Sequence, residues 1–240
     1  TGPFLFTIVA QLAAATVFWF GLRPDPLLVA KQLDQAKGGL KPKVSFASAI
    51  ATLRKHPIAF FAVSSIALSH MVMVAVMSMT PLHMHHMGYD LVVVGFTISL
   101  HIAGMYAFSP IFGWLSDRIG KVRVVLLGQV IYVAALAIAG FGQHDRTLVT
   151  IGLFLLGLGW SAATVSASAL LASTLPVQEK TNVQGLSDMS MNLAGALGGA
   201  VSGSILASIA FLGLNAAAFI PVVLIVIISA ITRLKTGPHK

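Results

Sequence analysis

The sequence has 240 residues, of which 57% are hydrophobic and 9% are charged. A soluble domain carries roughly 25% charged residues, so this composition excludes an ordinary water-soluble fold. The absence of cysteine excludes disulfides, thiolate metal sites and cysteine nucleophiles. The net charge of +8 does not indicate nucleic-acid binding, because the basic residues are confined to short segments between apolar runs.

Seven apolar runs are long enough to cross a hydrocarbon core of about 30 Å as helices. Strand-like alternation is absent, and a lone apolar segment in lipid must satisfy its own backbone hydrogen bonds. The sequence therefore predicts an all-α integral membrane protein of about seven transmembrane helices. We place the spans at 3–22, 58–80, 92–114, 123–141, 148–171, 186–209 and 213–232.

The first span follows Thr1, not a methionine, and is too long for a secretory signal peptide. We therefore expect the chain to begin inside a longer protein. The next segment, 23–57, is rich in Pro, Gly and Lys and is typical of a cytoplasmic linker. Within it, two interpretations stay open for residues 46–53: a short amphipathic helix on the membrane surface, or part of a mobile linker.

The basic residues predict the orientation of the spans. If the first span runs from outside to inside, fourteen of the fifteen Lys and Arg residues fall on the inner side, and Arg146 falls outside. Short positively charged loops resist translocation. We therefore expect an external amino end and a cytoplasmic Lys240, in the plasma membrane.

A motif stands between the third and fourth spans, where residues 113–123 read GWLSDRIGKVR. This G-x-L-x-D-R-x-G-K-x-R pattern resembles the loop signature of the major facilitator superfamily. We expect the first glycine to let a helix approach its neighbour and the second to permit a tight turn. The predicted gating motif consists of Gly113, Asp117, Arg118, Gly120, Lys121 and Arg123.

The resemblance implies a secondary transporter of two six-helix halves, each with a 3+3 inverted repeat. It assigns 1–22 to the last helix of a missing first half, 23–57 to the linker, 58–232 to one six-helix half and 233–240 to a cytoplasmic tail. The implied partners are a small-molecule substrate, the lipid bilayer and the missing amino-terminal half. No cofactor, nucleic-acid partner or enzyme activity is expected.

The resemblance also implies a role for Asp117. It should lie near the start of the sixth span, at residues 182–185, where free helix amides and the positive dipole end favour an anion. This contact would hold the cytoplasmic side shut, and Arg118, Lys121 and Arg123 would tune it. The alternative is that the charges of the motif serve membrane topology alone.

Four polar residues inside the predicted spans are candidates for binding substrate or a coupling proton. His70 and His101 fall near the middle of their spans at about the same depth, where an ionisable group is costly. Each histidine has the alternative of a neutral ring bonded to a nearby helix. Asp188, with Asn192 one turn further on, is the leading proton-coupling candidate, although a carboxylate there also stabilises a helix amino end.

The segment 81–87 is predicted to be an external loop rich in His and Met, which suit copper ions. His83, His85 and His86 are therefore weak metal-site candidates, and a solvent-facing loop without a metal is the alternative. Small residues at spacings of four predict close helix packing. They include Gly195, Gly198, Gly199 and Gly203 in the sixth span and Gly152, Gly157 and Gly159 in the fifth.

The sequence disfavours three other protein classes. A heptahelical receptor would not need the motif, and a retinal protein needs a lysine in its last helix, whereas 213–232 contains none. An intramembrane hydrolase lacks its H-E-x-x-H pair here. The predicted function is proton-driven efflux of hydrophobic or weakly basic small molecules by alternating access, with uptake of a neutral solute as the alternative.

Overall fold

The computed structural model describes residues 2–24, 28–29, 32–33 and 45–236. The described elements are helices, which confirms the all-α class. They are α1 (Gly2–Gly21), α2 (Phe46–Lys55), α3 (Pro57–His86), α4 (Leu91–Tyr106), α5 (Ser109–Ile119), α6 (Lys121–Phe141), α7 (Arg146–Thr174) and α8 (Val177–Thr236). The chain forms two compact units, Thr1–Lys43 and Val44–Lys240. Most of the predicted linker before Ser45 and the end of the predicted tail lie outside the described residues.

The first unit contains α1. Its 20 residues extend about 30 Å at about 1.5 Å per residue, which matches the thickness of a hydrocarbon core. Large apolar side chains on this helix are exposed, among them Leu12, Val17 and Phe20. Such a surface is typical of a helix that contacts lipid or another apolar helix.

The second unit contains five apolar helical segments long enough to cross a membrane in the described part of the chain. The last of them, Glu179–Leu234, has 56 residues and is about twice as long as one crossing requires. The helical path breaks at Ile209 and Ala210, which have non-helical backbone angles. This helix therefore supplies two crossings, and residues 57–236 supply six, in agreement with the predicted spans.

α2 settles the alternatives for residues 46–53 in favour of a helix. A capping box between Ser45 and Ser48 begins it. Its buried side chains fill the space between α3, the end of α7 and the start of α8, where they pack with Ala59, Leu171 and Val183. Its buried side therefore faces the other helices of this unit, and its position on the membrane surface stays a prediction.

α3 ends six residues later than predicted. The helix continues through Pro81 to His86, so residues 81–86 are not an external loop. Two side chains fix the last turns: Met84 is fully buried, and the His83 ring stacks on Phe211 with centroids 4.2 Å apart. These contacts outweigh the backbone hydrogen bond that a proline removes from a helix.

Glycines bring the helices close together, as predicted. A Cβ atom added at Gly157 would meet the carbonyl of His101, and one added at Gly128 would lie 2.9 Å from the backbone of Ala163. These contacts join α4 to α7 and α6 to α7. α3 and the first part of α8 run parallel, because His70 lies beside Gly195 and a later residue, Ser78, lies beside Ser202.

Candidate functional site

His70 lies in the middle of α3 and is half-buried. The indole Nε1–H of Trp160 on α7 donates a hydrogen bond to its Nδ1 atom at 3.2 Å. The two ring centroids are 6.2 Å apart and the rings are tilted by 52°. An indole N–H can only donate, so Nδ1 carries a lone pair and the proton of the neutral ring lies on Nε2.

Two further helices complete the surroundings of His70. On α8, Gly195 leaves room for the imidazole, because a Cβ there would lie 2.7 Å from Cδ2 and 3.0 Å from Nε2. On α4, the Tyr106 ring meets the Trp160 ring edge to face, with centroids 5.9 Å apart. Tyr106 is 61% exposed, so this aromatic group reaches the surface of the unit.

Asp188 and Asn192 share the face of α8 that leads to His70. Asp188 is seven residues before Gly195, which is about two helical turns and about 10 Å along the same face. The Asp188 carboxylate accepts a hydrogen bond from Gln184 Nε2 at 3.2 Å, and Asn192 Nδ2 donates to the Asp188 carbonyl at 2.8 Å. Asp188 and Asn192 are exposed. We call Gln184, Asp188 and Asn192 the polar stripe.

A cleft of about 460 Å³ adjoins the polar stripe at the start of α8. It lies between the end of α7 and the start of α8, and its polar groups come from Lys180, Thr181, Gln184 and Asp188. The stripe thus begins at an accessible cleft and ends beside a half-buried histidine. A carboxylate and an imidazole arranged in this order are groups that can take up and release protons.

His101 does not join this arrangement. It is fully buried, and its Nδ1–H donates to the Leu153 carbonyl on α7 at 2.7 Å. Its Nε2 atom has no hydrogen-bond partner among the described residues. This hydrogen bond matches the alternative of a neutral ring held by a neighbouring helix. Among the described residues, no hydrogen bond or ring contact joins His101 to His70.

The gating motif occupies the end of α5 and the start of α6. Gly120 has a φ of 98°, which confirms the predicted tight turn. Arg118 stacks over the Trp114 ring at 4.6 Å, and Arg123 donates to the Ile119 carbonyl at 3.2 Å. Lys121 is the first residue of α6. These contacts hold the basic side chains near their own turn.

The described residues do not show the contacts expected of Gly113 and Asp117. A Cβ at Gly113 would meet nothing within 4 Å, so this glycine does not mark a close helix approach. Asp117 is exposed, and no hydrogen bond or ion pair joins it to residues 182–185 within the described ranges. The start of α8 packs instead against α2, where Asn182 donates to Ser48 at 3.3 Å.

The three histidines near the end of α3 do not converge. His83 contacts the Gln143 carbonyl through Nε2 at 2.7 Å, whereas His85 and His86 are exposed. On the helix, His83 and His86 are three residues apart and lie on one face, whereas His85 points to another side. No group of three or more metal-binding side chains is found in the described residues.

Trp160 and Tyr106 were not identified from the sequence. Both stand in apolar runs, where an aromatic residue usually indicates packing. The available signal was weak: Trp160 is a single indole donor in the middle of a span, and a buried N–H needs an acceptor. The pairing with His70 depends on helix packing that no local pattern reveals.

The helix count, the motif and the packing agree with comparisons to known proteins. Residues 91–240 match the family model of the Major Facilitator Superfamily. The chain belongs to the Major Facilitator Superfamily. It is 37% identical to the "Uncharacterized MFS-type transporter YdeG" of Bacillus subtilis over 215 residues, which cover 89% of this chain and 50% of that protein.

Two other relatives show the same pattern. The similarity to the "Uncharacterized MFS-type transporter YddS" of Bacillus subtilis is 35% identity, over 86% of this chain and 48% of the relative. The chain is 30% identical to the "Riboflavin transporter RfnT" of Brucella anthropi, over 70% of this chain and 42% of that protein. The chain spans about half the length of these curated relatives or slightly less. As a member of the Major Facilitator Superfamily, it is a multi-pass integral membrane protein of a transporter family.

Proposed function

We propose that residues 58–232 form one six-helix half of a proton-coupled efflux transporter that works by alternating access. The observation that carries this proposal is the polar stripe on α8, which leads from an accessible cleft to the half-buried His70. A carboxylate and a histidine inside a membrane span are costly, and such groups usually serve transport. In this proposal Asp188 receives the proton near the membrane surface and His70 holds it near the middle.

The substrate class follows from the charges of the spans. No Lys or Arg stands near the centre of a span, which disfavours an anionic solute bound by this half. Trp160 and Tyr106 offer aromatic contact area. We therefore propose hydrophobic or weakly basic small molecules as the substrates, with the second half of the binding site supplied by a further six-helix half.

The proposed orientation places the gating motif and Lys240 in the cytoplasm and the amino end outside, at the plasma membrane. In this orientation the cleft beside Asp188 opens to the cytoplasm. Asp117 would close that side by meeting the start of α8 in another state of the transport cycle, since it is exposed in this structure.

Uptake of a neutral solute is the second candidate. The similarity to a protein named a riboflavin transporter supports it, because riboflavin is a planar solute without a charge at neutral pH. The two candidates differ in the direction of net transport and in the charge of the solute. They share the proposed proton site.

The test uses inside-out membrane vesicles from cells that express the gene carrying this sequence, energised with a proton gradient. Ethidium, a planar aromatic cation, is the probe for efflux. We expect proton-driven ethidium transport that Asp188→Asn and His70→Gln abolish. The matched controls are Glu179→Gln on α8 and His85→Gln on α3, which should transport like the parent.

Full proton-driven transport by Asp188→Asn and His70→Gln would refute the proposed proton site. If the parent accumulates riboflavin in intact cells and does not move ethidium, the second candidate replaces the first.

A further inference from the structure

The hydrogen bond between Trp160 and His70 has a strict chemical requirement. Trp160 Nε1–H donates to the lone pair of His70 Nδ1 at 3.2 Å. When a second proton binds the ring at Nδ1, both imidazole nitrogens become donors and neither accepts. The Trp160 bond and the protonated form of His70 therefore exclude each other.

The packing around His70 determines which group moves when this bond breaks. The imidazole lies against Gly195, whose added Cβ would be 2.7 Å from Cδ2, so little space remains on the α8 side. Trp160 is partly buried at the edge of the apolar core, and its ring also borders on the exposed Tyr106. We take the indole as the side chain that moves, toward Tyr106.

Few other ionisable groups face His70. Asp188 stands on α8 about two turns away, and Tyr106 on α4 is separated from the imidazole by Trp160. On α6, Tyr132 donates to the carbonyl of Ser69, beside His70 in the chain, at 2.8 Å. His101 on α4 is bonded to Leu153. Among the described residues none of these forms a hydrogen bond or ion pair with His70.

We propose that Trp160 and Tyr106 form an aromatic subsite for the planar aromatic part of the transported solute, and that protonation of His70 disrupts it. One proton adds to the Nδ1 lone pair, the ring gains one positive charge, and the bond to Trp160 Nε1–H breaks. The freed indole loses its fixed position beside Tyr106, so the solute is released when the proton binds, as the exchange of solute for protons requires. This inference rests on the proposed proton site at His70 and assigns Trp160 as the positioning residue that links proton and solute.

The experiment follows Trp160 by its fluorescence. The sequence contains three tryptophans, and Trp19→Phe with Trp114→Phe leaves Trp160 as the reporter. Any tryptophan that the gene encodes outside this sequence is replaced by Phe as well. The purified protein is titrated between about pH 8 and pH 5, where histidines change charge.

We expect the emission of Trp160 to change in one step over this range. The step should vanish in His70→Gln and persist in His85→Gln, an exposed histidine on the same helix. Emission that is independent of pH, or a step that survives in His70→Gln, would overturn the proposal.

A second measurement covers the case in which His70→Gln does not fold. Trp160→Phe retains an aromatic ring and removes the N–H donor. The hydrogen bond that favours the neutral form of His70 is then absent, so the pH profile of transport should move to higher pH. An unchanged profile would contradict the role of Trp160.

Solute binding is measured by quenching of Trp160 with ethidium and with riboflavin. Quenching by at least one of them should be stronger at the alkaline end of the titration and should be lost in Tyr106→Leu. Equal quenching at both ends, stronger quenching at the acid end, or full quenching in Tyr106→Leu, would refute the subsite. The pH step of Trp160 requires no transport, so its presence without proton-driven transport would refute the proposed function and retain the proton-controlled bond.

Discussion

The imidazole of His70 on α3 lies directly against Gly195 on α8, at a point where α8 has no side chain. An added Cβ would be 2.7 Å from Cδ2 and 3.0 Å from Nε2 of the ring. The glycine therefore sets the position of the ring between α7 and α8. This contact gives the first prediction a matched control on the same helix.

Gly195→Ala should destabilise the protein and impair transport. The imidazole must shift to admit the methyl group, and such overpacking typically costs about 1–3 kcal/mol. Gly185→Ala is the control, because a Cβ at Gly185 meets nothing within 4 Å. Thermal unfolding in detergent measures the stability of each variant. A parent-like melting temperature for Gly195→Ala would show that the ring is free to move toward α7.

His101 should contribute to stability and not to proton coupling. Its Nδ1–H bond to the Leu153 carbonyl ties α4 to α7 in a fully buried place. His101→Ala removes this bond and leaves a cavity, at a cost of about 2–4 kcal/mol. His101→Asn keeps a donor at a similar position and should recover part of the loss in thermal unfolding. Loss of proton-driven transport in a stably folded His101→Asn would instead place His101 in the proton path.

The fold was largely predictable because a membrane span can be recognised from the length and hydropathy of an apolar segment. Each predicted span is mostly helical, although the span at 92–114 covers α4 and the start of α5, with a turn at 107–108 between them. The break at Ile209 and Ala210 lies where the sixth predicted span ends. The end of α3 was not predictable, because Pro81 is a local breaker and the stacking of His83 on Phe211 is a long-range contact. The local sequence contains the proline, but it does not indicate the stacking of His83 on Phe211.

The candidate site was predictable only in part, and for a related reason. Ionisable residues inside spans stand out, so His70, His101 and Asp188 could be found by composition alone. Whether a polar residue faces a neighbouring helix or a cleft depends on the rotation of its helix. Helix rotation buries His101 against the Leu153 carbonyl and leaves His70 half-buried, in contact with Trp160.

Asp145 should stabilise the protein at neutral pH and lose this effect in acid. The backbone N–H groups of Leu148 and Thr147 donate to its carboxylate and hold the pKa of Asp145 below its ordinary value of 3.8. A carboxyl whose folded pKa is lowered contributes stability above its unfolded pKa and loses it as the pH falls through the folded pKa.

Asp145→Ala should therefore lower the melting temperature at neutral pH, and the difference from the parent should shrink below about pH 4. Asp90→Ala is the matched control, because Asp90 precedes α4 without a side-chain capping bond. If the melting temperature of Asp145→Ala stays below that of the parent by the same amount in acid, the loss of stability does not come from the charged carboxylate.

Asp117→Asn should slow transport without reducing the amount of folded protein. The side chain is exposed and unbonded within the described ranges, so its neutralisation removes no contact seen in this structure. If Asp117 meets the start of α8 during the cycle, the amide would bind the helix amides and dipole less strongly than the carboxylate. Ethidium transport in vesicles and thermal unfolding are measured together. Transport at the parental rate would leave the motif with a role in topology alone.

The orientation can be measured with single cysteines, because the 240 residues contain none and any cysteine that the gene encodes outside them can be replaced by Ser. His144→Cys marks the exposed turn between α6 and α7, and Ser173→Cys marks the exposed end of α7. If the positive charges direct insertion, a membrane-impermeant maleimide added to intact cells should label His144→Cys and leave Ser173→Cys unlabelled. Ser173→Cys should become labelled once the membrane is permeabilised, which excludes burial as the reason for its protection. The reverse pattern would place the gating motif outside the cell, where Asp117 could not close a cytoplasmic entrance, and the cleft beside Asp188 would then open to the exterior.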